Sequence, residues 1–219
     1  LANNNAFIDY STHMGIIENS EKLYDAIYIG RRTTFKRHML ARKVEKLAII
    51  AGNNHGNNVA PVPERLAFLN NRVLNEQEVM AEINKSNCGL ILSASEGACF
   101  ASSEYLLCGI PVVSTHSTGG RDVWYNNENS IVCEPDEDAI AEAVNFFSHN
   151  QTDPHLIRDQ HIAQSLVFRK NFIDMLQSVF DDYGVDRSAS SYFEEHYIHK
   201  MRTSMRVDMK ALFGPPLQH

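Results

Sequence analysis

The sequence predicts an α/β protein: a Rossmann-like, doubly wound parallel sheet with a helical C-terminal extension. Three observations carry this. Apolar runs of four or five residues recur between residues 24 and 133, amphipathic stretches of about ten residues separate them, and the run Cys88–Leu92 is apolar throughout. Strands covered by helices on both faces read this way.

The elements follow in order. Residues 1–23, rich in Asn, Ser and Glu, show no sustained period and read as a leader or linker. A first strand is expected at Ala26–Gly30, then a basic turn over Arg31–Arg37 and a helical stretch to about Val44. A second strand, Leu47–Ala51, runs into Gly52-Asn53-Asn54-His55-Gly56-Asn57-Asn58, a strong loop signal. A third short strand is expected at Arg72–Leu74. Asn75 with Glu78 reads as a capping box, and Val79, Met80 and Ile83 give that helix its inward face. Next come strand Cys88–Leu92, a helix over about Ala98–Leu107, strand Pro111–Ser114 and strand Ser130–Cys133. The helix that follows presents Ile140, Ala143, Val144 and Phe147 on one face, which closes the α/β unit at residues 24–150. Residues 151–219 read as helical: one bent helix or two over 154–180, a break at 181–186, and a last helix over about Ser191–Phe213 stopped by Gly214-Pro215-Pro216.

Composition excludes several function classes. The 219 residues are 43% hydrophobic and 21% charged, ordinary for a globular chain of one large or two small domains. No run approaches the ~18–20 apolar residues that a membrane-spanning helix needs. A net charge of −7 argues against nucleic acid as a partner, while leaving room for a local basic patch that binds one anion. Cys88, Cys99, Cys108 and Cys133 form no C-x-x-C pair, which fits buried thiols in a reducing, cytoplasmic compartment. No signal peptide opens the chain, and Leu1 in place of Met marks it as processed or as a piece of a longer protein.

In an open α/β sheet, ligands sit outside the carboxyl ends of the strands, so the segments after the strands carry the candidate chemistry. After the first strand, Arg31, Arg32, Lys36 and Arg37 place four cations within seven residues, suited to a diphosphate. A solvated basic turn is the plainer reading of that run alone. After Leu92, Glu96 and Glu104 are separated by seven residues: Glu96 in the turn, Glu104 about two turns into the helix. Gly97 permits close backbone approach, the helix start offers amides to an anion, and Glu104 could accept hydrogens from a ribose, although surface charge is the plainer reading of Glu104 alone. After Val113, His116 enters the same crevice, although a solvent-facing loop histidine is the better reading. His38 and His55 have no evident carboxylate partner. The triplet Asp136-Glu137-Asp138 precedes an amphipathic helix, where acids cap the terminus, so no metal site is assigned to it. Gly30-Arg31-Arg32-Thr33-Thr34-Phe35 also lacks the G-x-G-x-x-G of nicotinamide enzymes.

The combination of Glu96-Gly97 through Glu104, then Leu107–Ser114 and Gly119-Gly120, resembles the C-terminal half of GT-B glycosyltransferases of the retaining family 4 (group 1). Gly30-Arg31 with Lys36 and Asn126–Pro135 are similar to further parts of that family, so the resemblance spans about residues 24–150. It implies a donor-binding domain for a UDP-, GDP- or ADP-sugar, with an acceptor-side half preceding it and a glycan or other acceptor as co-substrate. By position, Arg31 and Lys36 neutralise the diphosphate. Backbone groups near Cys99 and Phe100, beside Gly97, seat the phosphates. Glu104 holds the ribose, and Glu96 is the catalytic carboxylate at the donor sugar. Two fixed cations make a metal unnecessary, since one charge pair at ~4 Å is worth ~4 kcal/mol at a dielectric of ~20 before desolvation. The chain departs from the family at Ala98-Cys99 where Phe-Gly is frequent, at Arg37 where glycine is common, and at Arg121-Asp122 after the glycine pair. A stand-alone nucleotide-sugar-binding or regulatory module is the alternative, as is a related epimerase or phosphorylase. The aromatic and basic last helix (Tyr192, Phe193, Tyr197, Lys200, Arg202, Arg206) suits packing on the α/β domain, or a membrane surface as the second choice.

Overall fold

Six parallel strands in the order β3-β2-β1-β4-β5-β6 form the centre of the molecule. The structure, a computed structural model, describes residues 3–52 and 59–198. The strands are β1 (Tyr24–Ile29), β2 (Leu47–Ile50), β3 (Phe68–Leu69), β4 (Ser86–Ile91), β5 (Val112–Thr115) and β6 (Ser130–Cys133). β1 pairs with both β2 and β4, so Ile27 lies opposite Ala48 on one side and Gly89 on the other. The chain winds outward from β1 through β2 to β3, then returns to β4 and winds the other way. This makes the gap between β1 and β4 the topological switch point.

Alternation along the strands divides the core between two faces. Ile27, Ala48, Ile50, Ile91 and Val112 face α1 (Glu76–Asn84), α2 (Phe100–Leu107) and α4 (Pro154–Asp182). Ala26, Tyr28, Leu47, Ile49, Cys88, Leu90 and Val113 face α3 (Glu137–His149), which contributes Ile140, Ala143, Val144 and Phe147. The expected capping box is present at Asn75 and Glu78. Asp136 caps α3 through the amides of Asp138 and Ala139.

Several elements differ from expectation. The third strand lies at Phe68–Leu69, not Arg72–Leu74. Asn70 ends it by bonding both main-chain groups of Ala51, and Arg72 turns away to pair with Glu78. The expected helix before Val44 is two 3-10 turns, Thr34–Lys36 and His38–Ala41, because Arg37 between them is left-handed at φ 54°. α4 is one helix of 29 residues, with Asp153 capping it and Pro154 in its first turn. The last described helix, α5, covers Ala189–His196. The remainder of the expected final helix with Lys200, Arg202 and Arg206, its Gly-Pro-Pro stop, and His55 with loop 53–58 lie outside the described residues. Cys133 is half-buried, in contrast to the other three free thiols, which are buried.

The N-terminal segment is built into the molecule. Ala6, Phe7, Ile8, Tyr10 and Met14 are buried, and the Phe7 ring meets Phe172 at 5.0 Å and Phe193 at 5.8 Å. Two arginines of α4 hold its main chain: Arg158 donates to the Tyr10 and Met14 carbonyls, and Arg169 to those of Ala6 and Ile8.

Across the switch point, Tyr105 of α2 lies flat on Gly89 of β4. A Cβ at Gly89 would sit 2.1 Å from the tyrosine ring, and the Tyr105 hydroxyl accepts a hydrogen bond from the Ile29 amide at 2.8 Å. Gly89→Ala is therefore expected to destabilise the fold by about 1–3 kcal/mol, the usual penalty of overpacking, read as a lower urea midpoint with unchanged slope.

Candidate functional site

The segments after β1 and β4 meet at the switch point. Lys36, buried in the first 3-10 turn after β1, donates from Nζ to Glu96 Oε1 at 2.5 Å. Glu96 Oε2 accepts the Ser93 hydroxyl proton. Burial pushes the Glu96 carboxyl up, but hydrogen bonds from Lys36 and Ser93, with the charges of Lys36 and Arg121, outweigh it and hold the group below its ordinary range. The carboxylate is thus ionised, oriented at both oxygens and half-buried.

Main-chain contacts fix the same turn. The Glu96 amide donates to the Thr118 carbonyl at 3.0 Å, next to an isolated parallel bridge between Ser95 and Thr118. Gly119, at φ 117°, comes so close that a Cβ there would lie 2.5 Å from the Glu96 carbonyl oxygen. Only glycine tolerates both the conformation and the approach. At Gly97, by contrast, a Cβ would meet nothing nearer than the Gly119 oxygen at 3.9 Å, so open space adjoins the turn.

Three further cations lie around the strand ends. Arg37 donates to the Leu92 carbonyl at 2.6 Å and to Thr115 Oγ1 at 2.8 Å. Arg121, fully buried, donates to the Ser93 carbonyl at 2.7 Å, to Ser93 Oγ at 2.8 Å and to the Thr115 carbonyl. Burial and the neighbouring Arg121 charge both lower the Arg37 pKa. Arg31 is exposed, its stem lying against Gly52 at the end of β2, and its guanidinium has no hydrogen-bond partner among the described residues. It is not in the Lys36–Glu96 cluster.

The remaining expected site residues lie on α2. Cys99 is its N-cap residue and makes no side-chain cap bond, so no side-chain oxygen from the cap closes off the first-turn amides from Phe100 onward. The thiol itself is buried and its pKa raised by that burial. Glu104 is half-buried one turn further along, with no hydrogen-bond partner for its carboxylate among the described residues. Burial first, and the nearby Glu76 charge second, push it up to about 7. His116 is exposed and 3.8 Å from Glu134, in keeping with a loop histidine. Asp138 of the acidic triplet pairs with Lys43 at 2.6 Å. Among the described residues, no group of three or more His, Cys, Asp and Glu side chains is placed to hold a metal ion.

Sequence reasoning singled out Lys36 and Glu96 but missed Ser93 and the burial of Arg121. Their one visible signal was position: Ser93 directly follows a strand, and Arg121 follows a glycine pair and precedes the apolar Val123-Trp124.

A six-stranded parallel sheet in this order, with polar residues converging at the reversal, defines a Rossmann-like α/β protein. The family is narrower than that: the one described as "Glycosyl transferases group 1" matches residues 20–163, about two thirds of the chain, and the chain belongs to it. Solved structures with the same fold include sucrose-phosphate synthase from Thermosynechococcus elongatus, 14% identical, TM-score 0.62, covering 80% of this chain and 51% of the other. AviGT4, a glycosyltransferase involved in avilamycin A biosynthesis, is 14% identical with TM-score 0.56, over 80% of this chain and 56% of the other. Anabaena HepE, solved in complex with UDP, is 12% identical with TM-score 0.53, over 71% and 49%. The chain spans about half the length of these solved relatives. No curated protein matches it. No helix among the described residues is long and apolar enough to cross a membrane.

The raised Glu104 pKa has a defined consequence for stability. Between about 4.5 and 7 the unfolded chain releases this proton while the folded chain keeps it. Its contribution to stability therefore falls as pH rises through that window and levels off above it, opposed below about pH 6.5 by His38 and His161, which burial holds neutral. Glu104→Gln should remove this contribution and be the more stable protein above pH 7, by about 1–3 kcal/mol. Urea midpoints of the two proteins at pH 5, 6, 7 and 8 measure it, and parallel curves would contradict the assignment.

Proposed function

We propose that this chain is the donor-binding half of a retaining glycosyltransferase that moves a hexosyl group from a nucleoside-diphosphate sugar to an acceptor hydroxyl without a metal ion. The observation that supports this best is the meeting of Lys36 and Glu96 at the strand-order reversal. Lys36 has three N–H donors and uses one on Glu96, so two remain for diphosphate oxygens. Arg31, exposed and without a hydrogen-bond partner among the described residues, adds a second cation from the same strand end. The first-turn amides after Cys99, from Phe100 onward, receive a phosphate, and the open space beside Gly97 admits it. Glu104 accepts the ribose hydroxyl protons, which would give its carboxylate the partners it lacks among the described residues. Glu96 faces the donor sugar.

In the transfer, the bond from the anomeric carbon to the diphosphate oxygen breaks and its electron pair leaves with the diphosphate. The acceptor oxygen bonds the same face of that carbon, and the acceptor proton passes to the departing diphosphate. Fixed cations stabilise the charge that develops on the leaving group, the role a divalent ion takes in other transferases.

Residues 24–150 form the nucleotide-sugar-binding unit in this reading, residues 1–23 are the interdomain linker, and the helices from residue 151 onward follow it. The chain's span of about half the solved relatives supports an acceptor-side half supplied by a further domain. Four free thiols favour a cytoplasmic setting.

Calorimetry on this chain tests the reading, with UDP as the first probe and GDP and ADP beside it. UDP should bind equally well in excess chelator, and Lys36→Ala should weaken it at least tenfold. Glu104→Ala should weaken it roughly ten- to a hundredfold, the range for hydrogen bonds to a charged group. Glu96→Ala should not weaken UDP, because it releases Lys36, but should erode any advantage of UDP-glucose over UDP. Absence of binding to all three nucleotides, or a magnesium requirement, would overturn the proposal.

A second measurement uses the Glu104 proton. Ribose hydroxyls donate to the ionised carboxylate, so affinity for UDP-glucose, whose phosphates carry no titrating proton in this range, should rise as pH increases through about 7 and become flat in Glu104→Gln.

A further inference from the structure

We infer that Arg121 is a positioning residue for Glu96, acting through the hydroxyl of Ser93. The functional weight of this rests on Glu96 being the carboxylate that meets the donor sugar, while the positioning itself is a property of the unliganded chain.

A guanidinium donates five N–H bonds and accepts none, whereas a serine hydroxyl has a single proton. Arg121 lies 2.8 Å from Ser93 Oγ, so the hydroxyl must accept there. Its only proton is then left for Glu96 Oε2, which receives it. The same nitrogen of Arg121 also donates to the Ser93 carbonyl at 2.7 Å, and the other terminal nitrogen donates to the Thr115 carbonyl. The guanidinium therefore spans the ends of β4 and β5 and presents Ser93 in one orientation. With Lys36 on Oε1, both carboxylate oxygens of Glu96 are assigned.

The placement of Arg121 is otherwise hard to account for. It is fully buried, and the nearest carboxylate, Asp122, is 3.4 Å from Nε and 42% exposed. A buried guanidinium whose ion-pair partner among the described residues, Asp122, is largely in solvent is expensive relative to an apolar residue of similar size. Packing alone would not select it. The segment that carries it also holds the main chain of Glu96, through the Thr118 carbonyl and the close approach of Gly119. Residues 118–121 thus hold Glu96 by both its backbone and, at one remove, its side chain.

The test uses the whole 219-residue chain. Ser93→Ala removes only the relay hydroxyl, Ser93→Thr keeps it, and Arg121→Lys keeps a charge but loses the fork. Thermal melting establishes that each variant is folded. Carbon-13 NMR of glutamate-labelled protein, with Glu96→Gln to assign the signal, then follows the titration of the Glu96 carboxyl. In Ser93→Ala it should move up toward the ordinary carboxylate range, and Ser93→Thr should restore it. Arg121→Lys, if folded, should move it in the same direction, and adding Ser93→Ala to it should change little more. In calorimetry, Ser93→Ala should leave UDP affinity unchanged and weaken UDP-glucose by about tenfold. An unshifted Glu96 titration in folded Ser93→Ala would overturn the positioning role. If wild-type protein binds no nucleotide, the donor reading fails while the titration still decides the role of Arg121.

Discussion

The reversal of strand order between β1 and β4 is the constraint on which the rest depends. Both strands are interior to the sheet, so their backbone groups are used by neighbours on each side and both faces must be covered. Covering them forces small or flat residues wherever a helix approaches closely, as at Gly89 under Tyr105. It also forces the two chains leaving β1 and β4 to emerge side by side at one end, with no helix between them. Residues 60 apart in sequence, Lys36 and Glu96, become direct partners for that reason.

Charge is distributed unevenly around that point. The chain as a whole carries −7, yet Lys36, Arg37 and Arg121 converge on the strand ends, where Lys36 pairs with Glu96 and Arg121 with the partly exposed Asp122. Arg37 and Arg121 spend their donors on carbonyls and hydroxyls just after β4 and at the end of β5, and Arg121 also on Asp122, so they brace the strand ends and are not free to meet a ligand. Lys36 and Arg31 differ: one has donors to spare and the other is exposed. An acidic molecule with a small cationic focus attracts a compact polyanion while discouraging an extended one such as nucleic acid.

Much of this was legible in the sequence. Five of the six strands coincide with apolar runs, and Ser130–Cys133 does so residue for residue. Edge strand β3 was not, because two residues cannot display a period and Val73-Leu74 nearby is the more apolar pair. The 3-10 turns around Arg37 share the apolar spacing of a helix over so short a span, so the sequence does not separate the two. Packing of the first residues was hidden as well. Phe7, Ile8, Tyr10 and Met14 follow no period, and their main chain is held by arginines about 150 positions away. At the site, Lys36, Glu96 and Glu104 stood out because loops after parallel strands are where ligands bind. Ser93 and Arg121 did not, because an arginine that pairs with carbonyls leaves no complementary residue type to look for.

Arg37 has a consequence of its own. Its left-handed backbone costs an L-residue about 1–2 kcal/mol, offset by the bonds from its side chain to Leu92 and Thr115. In mechanical terms the loop is an elbow braced by its own outermost strut. Lys36, the residue just before it, is carried on a stiff arm whose conformational freedom was given up during folding. Its ammonium consequently waits at the carboxyl end of the central strands in advance of any anion, and the entropy of arranging it does not fall on the binding step.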